Sequence, residues 1–300
     1  MQRRSFLKIT GLTLGGLALL SKSTLASFLA DPAYKIKMLT DNIGVFTEKG
    51  GTILFMLGKK GTVVVDSQFP DTAKHLIDEL LKKSKKPFSL LVNTHHHGDH
   101  TAGNIVFKDL TKNVLAHTNS KINQQDVAVK NKNEDKQLYP NLTYETTWST
   151  KLKGERLTLH YFGPGHTNGD SFVHFENANI VHVGDLVFNR RHPFVDRTAG
   201  ANITHWIKTL TDATNKFSDS TTYVCGHAGA GYDIVINKTD ILQFREYLSN
   251  VLKLTSESIA KGMTKADFLK LTEVPGSPEW KGDGIVRPLE AAWDEMNAVK

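Results

Sequence analysis

The stretch that decides the reading is His95-His96-His97-Gly98-Asp99-His100, which places three histidines and an aspartate at the H-x-H-x-D-H spacing. It follows the apolar run Phe88-Ser89-Leu90-Leu91-Val92, which predicts a buried strand, so the six residues form the turn leaving its carboxyl end. In an extended stretch alternate side chains share a face. The imidazoles of His95 and His97 therefore converge on one ion, while Asp99 and His100 lie just beyond, a division that predicts two neighbouring metals. Three further ligand-type residues each stand where a β-rich run meets a glycine-containing turn. They are His166 in Gly163-Pro164-Gly165-His166-Thr167, Asp185 ending Ile180-Val181-His182-Val183-Gly184-Asp185, and His227 ending Thr222-Tyr223-Val224-Cys225-Gly226-His227. Strand ends are where α/β proteins collect their chemistry. Five histidines and two aspartates without thiolates suit zinc.

In combination, the order H-x-H-x-D-H, G-H-T, G-D and G-H resembles the metallo-β-lactamase superfamily over about residues 43–227. The resemblance implies an α/β fold, an αββα sandwich, with a C-terminal helical appendage. It also implies a ligand set: His95, His97 and His166 on a first metal, Asp99, His100 and His227 on a second, and Asp185 bridging them. All seven positions are filled. A bridging aspartate is similar to the glyoxalase II and lactonase branches, whereas the true β-lactamases use other residues around the second metal. The function implied is hydrolysis of an ester, thioester, lactone or related acyl bond by hydroxide generated at two Zn2+ ions, with Asp99 as the catalytic carboxylate on the leaving-group side. β-Lactamase activity, an iron-dependent sulfur dioxygenase on the same scaffold, and a non-catalytic metal-binding adaptor are the alternatives.

Of the 13 histidines, the remaining eight, including His75, His117, His160, His174, His182 and His205, read as surface or core residues. His96 fills a variable position and points away from its neighbours. Arg190, Arg191 and His192 follow Asp185 closely and offer contacts to an anionic small-molecule substrate; a solvated basic loop accounts for them equally well. Asp66, at the end of an apolar strand, together with Asn93 and Thr94, is the candidate outer support for the ligands. Cys225 reads as a small apolar packing residue.

The amino terminus carries a second signal. Arg3-Arg4-Ser5-Phe6-Leu7-Lys8 resembles the twin-arginine export motif and precedes an apolar segment, residues 9–20, then a small-residue site at Thr24-Leu25-Ala26. The apolar run is shorter than the roughly 20 residues a spanning helix needs. The expected organisation is a signal peptide over 1–26, a catalytic domain over 27–235 and a helical appendage over 236–300, with the mature protein periplasmic and without a stable membrane anchor. The chain carries +6, of which Arg3, Arg4, Lys8 and Lys22 supply four with no acid before Asp31. The mature part is then only mildly basic, and with no basic stripe interleaved with aromatics, nucleic acid is not an expected partner.

Along the rest of the chain, strands are predicted at residues 45–46, 52–57, 62–66 and 113–116. A helix capped by Asp71 carries Ala73, Leu76, Ile77, Leu80 and Leu81, and a polar helix and loop cover 121–134. Trp206, Leu210, Ala213 and Phe217 mark another helix. Beyond His227, the stripe Ile241, Phe244, Leu248, Val251 and Leu252, a cap at Thr264 and the stretch 286–299 predict helices.

Overall fold

The structure, a computed structural model, describes residues 34–298; the predicted leader over 1–26 lies outside the described residues. Among the described residues, 36–298 belong to one compact unit.

Among the described residues thirteen strands make two sheets. The first holds β1 (Lys35–Met38), β2 (Ile43–Thr47), β3 (Ile53–Leu57), β4 (Thr62–Val65), β5 (Phe88–Val92), β6 (Val114–His117) and β7 (Leu142–Tyr144), in that order across the sheet. The second holds β8 (Thr147–Leu152), β9 (Glu155–His160), β10 (Phe172–Phe175), β11 (Ile180–Asn189), β12 (Thr222–Ala228) and β13 (Val235–Ile236), running from β13 to β8. Most neighbours are antiparallel hairpin partners, but β4 and β5, β5 and β6, β6 and β7, and β11 and β12 pair in parallel. Parallel neighbours need crossovers. These are supplied by α1 (Pro70–Lys83), α3 (Thr118–Asn131) and α4 (Ile203–Lys216), with α2 (Gly98–Thr101) a single turn after the histidine run.

The period of two along each strand explains the layers. Val63 and Val65 of β4, Leu90 and Val92 of β5, and Leu157, Leu159, Val173, Phe175 and Val224 of the second sheet share one core between the sheets. The alternate residues Val181, Val183, Tyr223 and Cys225 face outward into a second core with Trp206 and Leu210 of α4. That core also takes the stripe Ile241, Phe244, Leu248 and Val251 of α5 (Lys238–Ala260), Phe268 of α6 (Lys265–Phe268) and Leu289 of α7 (Val286–Asn297). On the far side Ala73, Leu76 and Leu80 of α1 are buried, giving helix, sheet, sheet and helix in succession. The C-terminal helices thus share one core with β11 and β12. Among the described residues no helix is long and apolar enough to cross a membrane.

Local signals resolve with two corrections. Thr264 caps α6, its hydroxyl accepting from the Asp267 amide at 3.2 Å. Asp71 does not cap α1. The helix begins a residue earlier, at Pro70, because proline fixes a helical φ at a position with no amide to satisfy. Thr72 closes the entry, its hydroxyl accepting from the Phe69 amide at 3.1 Å, and Asp71 pairs on the surface with Lys49. Nor does β11 end at Asp185: it runs to Asn189, with register shifts against β12 on either side of Gly184. Gly184 has φ +51°, and a Cβ there would stand 2.5 Å from Thr94 Oγ1, so only glycine lets the strand bulge at this point.

Candidate metal centre

The bulge at the middle of β11 delivers Asp185 beside the ends of β5 and β12, and there the seven expected ligands meet. His95 Nε2 lies 3.1 Å from His97 Nδ1, which lies 2.8 Å from His166 Nε2. On the other side His227 Nε2 is 3.1 Å from Asp99 Oδ2, and His100 Nε2 is 3.8 Å from the same oxygen. Asp185 stands between the sets, with Oδ1 3.1 Å from His100 Nε2 and Oδ2 3.4 Å from His227 and 3.7 Å from His166.

Proton accounting shows what this arrangement requires. His97 Nε2 must donate to Asp196 Oδ2 at 2.9 Å, and His166 Nδ1 must donate to the carbonyl of Phe194 at 2.8 Å. The Thr94 hydroxyl spends its proton on Asp66 Oδ2 at 2.8 Å, so it accepts from His95 Nδ1 at 3.0 Å. With those nitrogens protonated, the three inward nitrogens of His95, His97 and His166 all present lone pairs to one point. Lone pairs at such distances repel unless a cation sits among them. Burial and the neighbouring imidazoles push His166 down to about 3 and His95 well below its ordinary value, so neither supplies a proton instead. His100 Nε2 and Asp185 Oδ1 are both buried and face each other at 3.1 Å, out of good hydrogen-bond alignment. Two groups of donors here are compatible with metal binding: His95, His97, His166 and Asp185 in one, and Asp99, His100 and His227 in the other.

Burial opposes charge on His100, but Asp185 and Asp66 outweigh it and hold this imidazole well above the ordinary histidine range. Asp185 is likewise kept ionised against burial, by His227 and His100. Without a metal His100 therefore carries a proton at neutral pH, and a ligand must shed it. Loading zinc into the stripped protein at pH 7 should release protons, and calorimetric titration in buffers of different ionisation enthalpy would count them; uptake, or no release, would contradict this charge balance.

The outer support is partly as expected. Asp66, with φ +64° at the end of β4, accepts from His100 Nδ1, the Thr94 amide and the Thr94 hydroxyl, each at 2.8 Å. Asn93 instead pairs with Asn104, away from the ligands. Asp196 was not legible in the sequence. It accepts from His97, its second oxygen accepts from Thr198 Oγ1 at 2.6 Å, and His96 Nε2 lies 3.5 Å away. Those hydrogen bonds overcome burial and hold its carboxyl far below the usual range. His96 is not among the donors grouped with His95 and His166, but its ring packs against that of His97 at 4.3 Å and it forms a further donor group with His97 and Asp196. The sole sequence hint was an Asp-x-Thr turn, a signal too common to single out.

The close approach of β12 depends on Gly226, where a Cβ would overlap Asp185 Oδ1. Its carbonyl accepts from both the amide and the hydroxyl of Thr52 at 3.0 Å, tying the second sheet to the first beside the ligands. Cys225 is a core residue, its thiol fully buried and pushed up to about 12 by desolvation, hence inert.

A cleft of 420 Å³ opens on the centre, lined by His97, Asp99, Asp185, His227, Phe188, Phe194, Arg191, His192 and Arg287. Its size is that of a small-molecule site. Among the expected substrate contacts, Arg190 needs correction. Its guanidinium is buried between the rings of Tyr232 and Trp280 and bonds Asp240 and Asn189 at 2.8 Å, Glu279 at 3.3 Å and Gln243. Each of its three nitrogens thus faces a protein acceptor, two of them, Asp240 and Gln243, on α5. Arg191 is exposed on the cleft, and Arg287, too far along the chain to have been picked out, stacks over Phe194 at 5.9 Å.

Two sheets flanked by helices, with a histidine and aspartate centre at their common edge, define a metal-binding hydrolase of the αββα type. The chain belongs to the metallo-beta-lactamase superfamily, whose family model matches residues 47–227. It is 25% identical over 207 residues to metallo-beta-lactamase IND-1 of Chryseobacterium indologenes, covering 67% of this chain and 82% of that protein. It is also 25% identical over 218 residues to metallo-beta-lactamase type 2 of Bacillus cereus, covering 69% of this chain and 82% of the relative. Among solved structures, a metallo-beta-lactamase from Pontibacter korlensis matches with a TM-score of 0.62 at 18% identity, over 72% of this chain and 99% of the other. The stereoselective inverting sec-alkylsulfatase Pisa1 from Pseudomonas sp. matches with 0.68 at 14% identity, over 86% of this chain and 49% of that one.

Proposed function

We propose that this protein is a dinuclear zinc hydrolase that cleaves an ester, thioester, lactone or related acyl bond in a small anionic substrate. The observation that carries the reading is the convergence of seven donors in two sets sharing Asp185. Two zinc ions held there would polarise a carbonyl and make water acidic enough to attack near neutrality. The protein's own part is positional and protonic. His227 and His100 hold Asp99 below its ordinary range in spite of burial, so it is a carboxylate at neutral pH and can take a proton at the cleft wall and pass it to the leaving group. Phe188 and Phe194 flank the opening and keep water off the apolar part of the substrate.

β-Lactam hydrolysis is the second reading, favoured by the names of the two relatives at 25% identity. The aspartate between the two sets, a feature of the glyoxalase II and lactonase branches, supports acyl esters, thioesters and lactones instead. Zinc-loaded protein assayed on lactones, thioesters, phosphoesters and cephalosporins decides between them. Two zinc per chain with turnover of a lactone or thioester supports the proposal. Preference for cephalosporins would move the assignment to lactamase, and one iron per chain would move it to the dioxygenase.

The cleft arginines give a sharper check. Arg191→Ala and Arg287→Ala should each raise KM for an anionic substrate by roughly tenfold with a smaller change in kcat, the pattern of lost uniform binding. Arg190→Ala should instead lower stability, by about 3 kcal/mol on removal of one partner from a buried ion pair. Equal effects on KM from all three would show that Arg190 is not confined to its network.

Export by the twin-arginine route is part of the same proposal, since ligands from four distant segments come together only in a folded chain. Arg3→Lys with Arg4→Lys should strand the precursor in the cytoplasm; undiminished periplasmic protein from the double variant would exclude that route.

A further inference from the structure

His192 lies in the loop after β11, is only 3% exposed, and forms part of the cleft wall beside His97, Asp99, Asp185 and His227. Its Nδ1 is 2.8 Å from the hydroxyl of Tyr247, a fully buried residue of α5. Among the described residues this nitrogen is the hydroxyl's only hydrogen-bond partner. Desolvation holds the phenol above its ordinary value, so it keeps its proton. A buried hydroxyl with one neighbour must donate to it, because accepting instead would leave its own hydrogen without an acceptor. Nδ1 of His192 is therefore the acceptor, and the imidazole proton sits on Nε2. That Nε2 is buried and has no hydrogen-bond partner. A buried donor left unpaired beside a cleft calls for an explanation, and the cleft supplies one.

The other groups around it fix the kind of acceptor. Arg191 and Arg287 line the same cleft, are exposed, and have no carboxylate partner among the described residues. The carboxylates of Asp99 and Asp185 face it as well, but they belong to the cation-binding sets. Phe188 and Phe194 add apolar wall.

We propose that His192 is a substrate-binding residue whose Nε2–H donates to an oxyanion of the substrate, with Arg191 and Arg287 neutralising its charge and Tyr247 fixing the donor tautomer. The substrate class is then an acyl compound bearing a carboxylate or comparable anion next to an apolar group. This rests on the hydrolase reading for the word acyl, whereas the oxyanion contact stands on the cleft alone.

The test uses zinc-loaded protein and phenylacetate as the probe. Long-range nitrogen-detected NMR of the wild type should show His192 protonated on Nε2 and bare on Nδ1, and phenylacetate should shift the Nε2 signal. His192→Phe should weaken phenylacetate binding by roughly ten- to a hundredfold, the range for a hydrogen bond to a charged group. His192→Gln, whose amide nitrogen can stand near Nε2, should regain most of it, and Tyr247→Phe should lose part of it while mixing the two tautomers. Zinc content should stay at the wild-type level in all three. A bare Nε2 in the wild type, or phenylacetate binding unchanged in His192→Phe, would overturn the proposal. The zinc count on the same samples tests the hydrolase reading separately, since a count other than two leaves the anion measurement intact.

Discussion

Asp185→Asn should leave a folded protein that has lost at least about a hundredfold in kcat/KM, or roughly 2.7 kcal/mol of transition-state stabilisation, together with much of its affinity for a second zinc. The amide keeps the volume of the carboxylate in a site where Asp185 is 5% exposed and flanked by the Gly226 backbone, so packing is preserved. What disappears is the negative charge shared between His100, His227 and His166. A neutral oxygen is a poor link between two cations, and the amide hydrogens would point at one of them. Zinc counted after dialysis, with steady-state kinetics on the same sample, checks both halves of this expectation. His96→Ala, which removes a ring packed beside His97 but outside the two donor sets, should cost far less; equal losses from the two would mean that the H-x-H-x-D-H register is misassigned.

Asp66→Ala should be the most destabilising substitution near the site. The side chain is fully buried and accepts three hydrogen bonds, from His100 Nδ1, the Thr94 amide and the Thr94 hydroxyl. Each buried donor left unpaired costs about 1–3 kcal/mol, so a loss of about 3–5 kcal/mol is expected in denaturant unfolding. Metal affinity should fall by about ten- to a hundredfold as well, because the ring of His100 loses the carboxylate that orients it. Competition against a chromophoric chelator measures the second effect. Asp66→Asn, which keeps an acceptor for Thr94 but loses the charge beside His100, should restore more of the stability than of the metal affinity. Loss of stability with full metal affinity would show that Asp66 serves the strand end and not the ligand.

The difference between these aspartates explains how far the sequence could be read. Residues that hold a metal must come at spacings dictated by the local chain, so His95 and His97, two apart on an extended turn, announce themselves. Asp185 is legible for the same reason, as a ligand-type residue after a glycine at the end of an apolar run. Strand and helix periodicity fixed the two layers, since burial on one face imposes a period that the residues must obey. Asp196, Tyr247 and Arg287 act through positions that only the folded chain brings together, and no local rule marks them. Arg190 and Arg191 show the limit in one dipeptide. Neighbouring and chemically identical, one is held by Asp240 and Gln243 of α5 and the other lines the cleft, a division that only the folded partners impose.

The helices beyond β12 carry a further meaning. The segment shared with the family ends at His227, so every metal-type residue of the centre lies inside it. Arg287, which lines the cleft, and Tyr247, whose hydroxyl meets His192, lie after it, and Glu295 near the end of α7 binds the amides of Ile203 and Thr204 at 2.7 and 3.0 Å, closing the first turn of α4. The donors thus lie wholly within the shared segment, while part of the cleft wall is braced from beyond it: a chain cut after β12 would keep every donor yet lose Arg287 and the Tyr247 hydroxyl that meets His192.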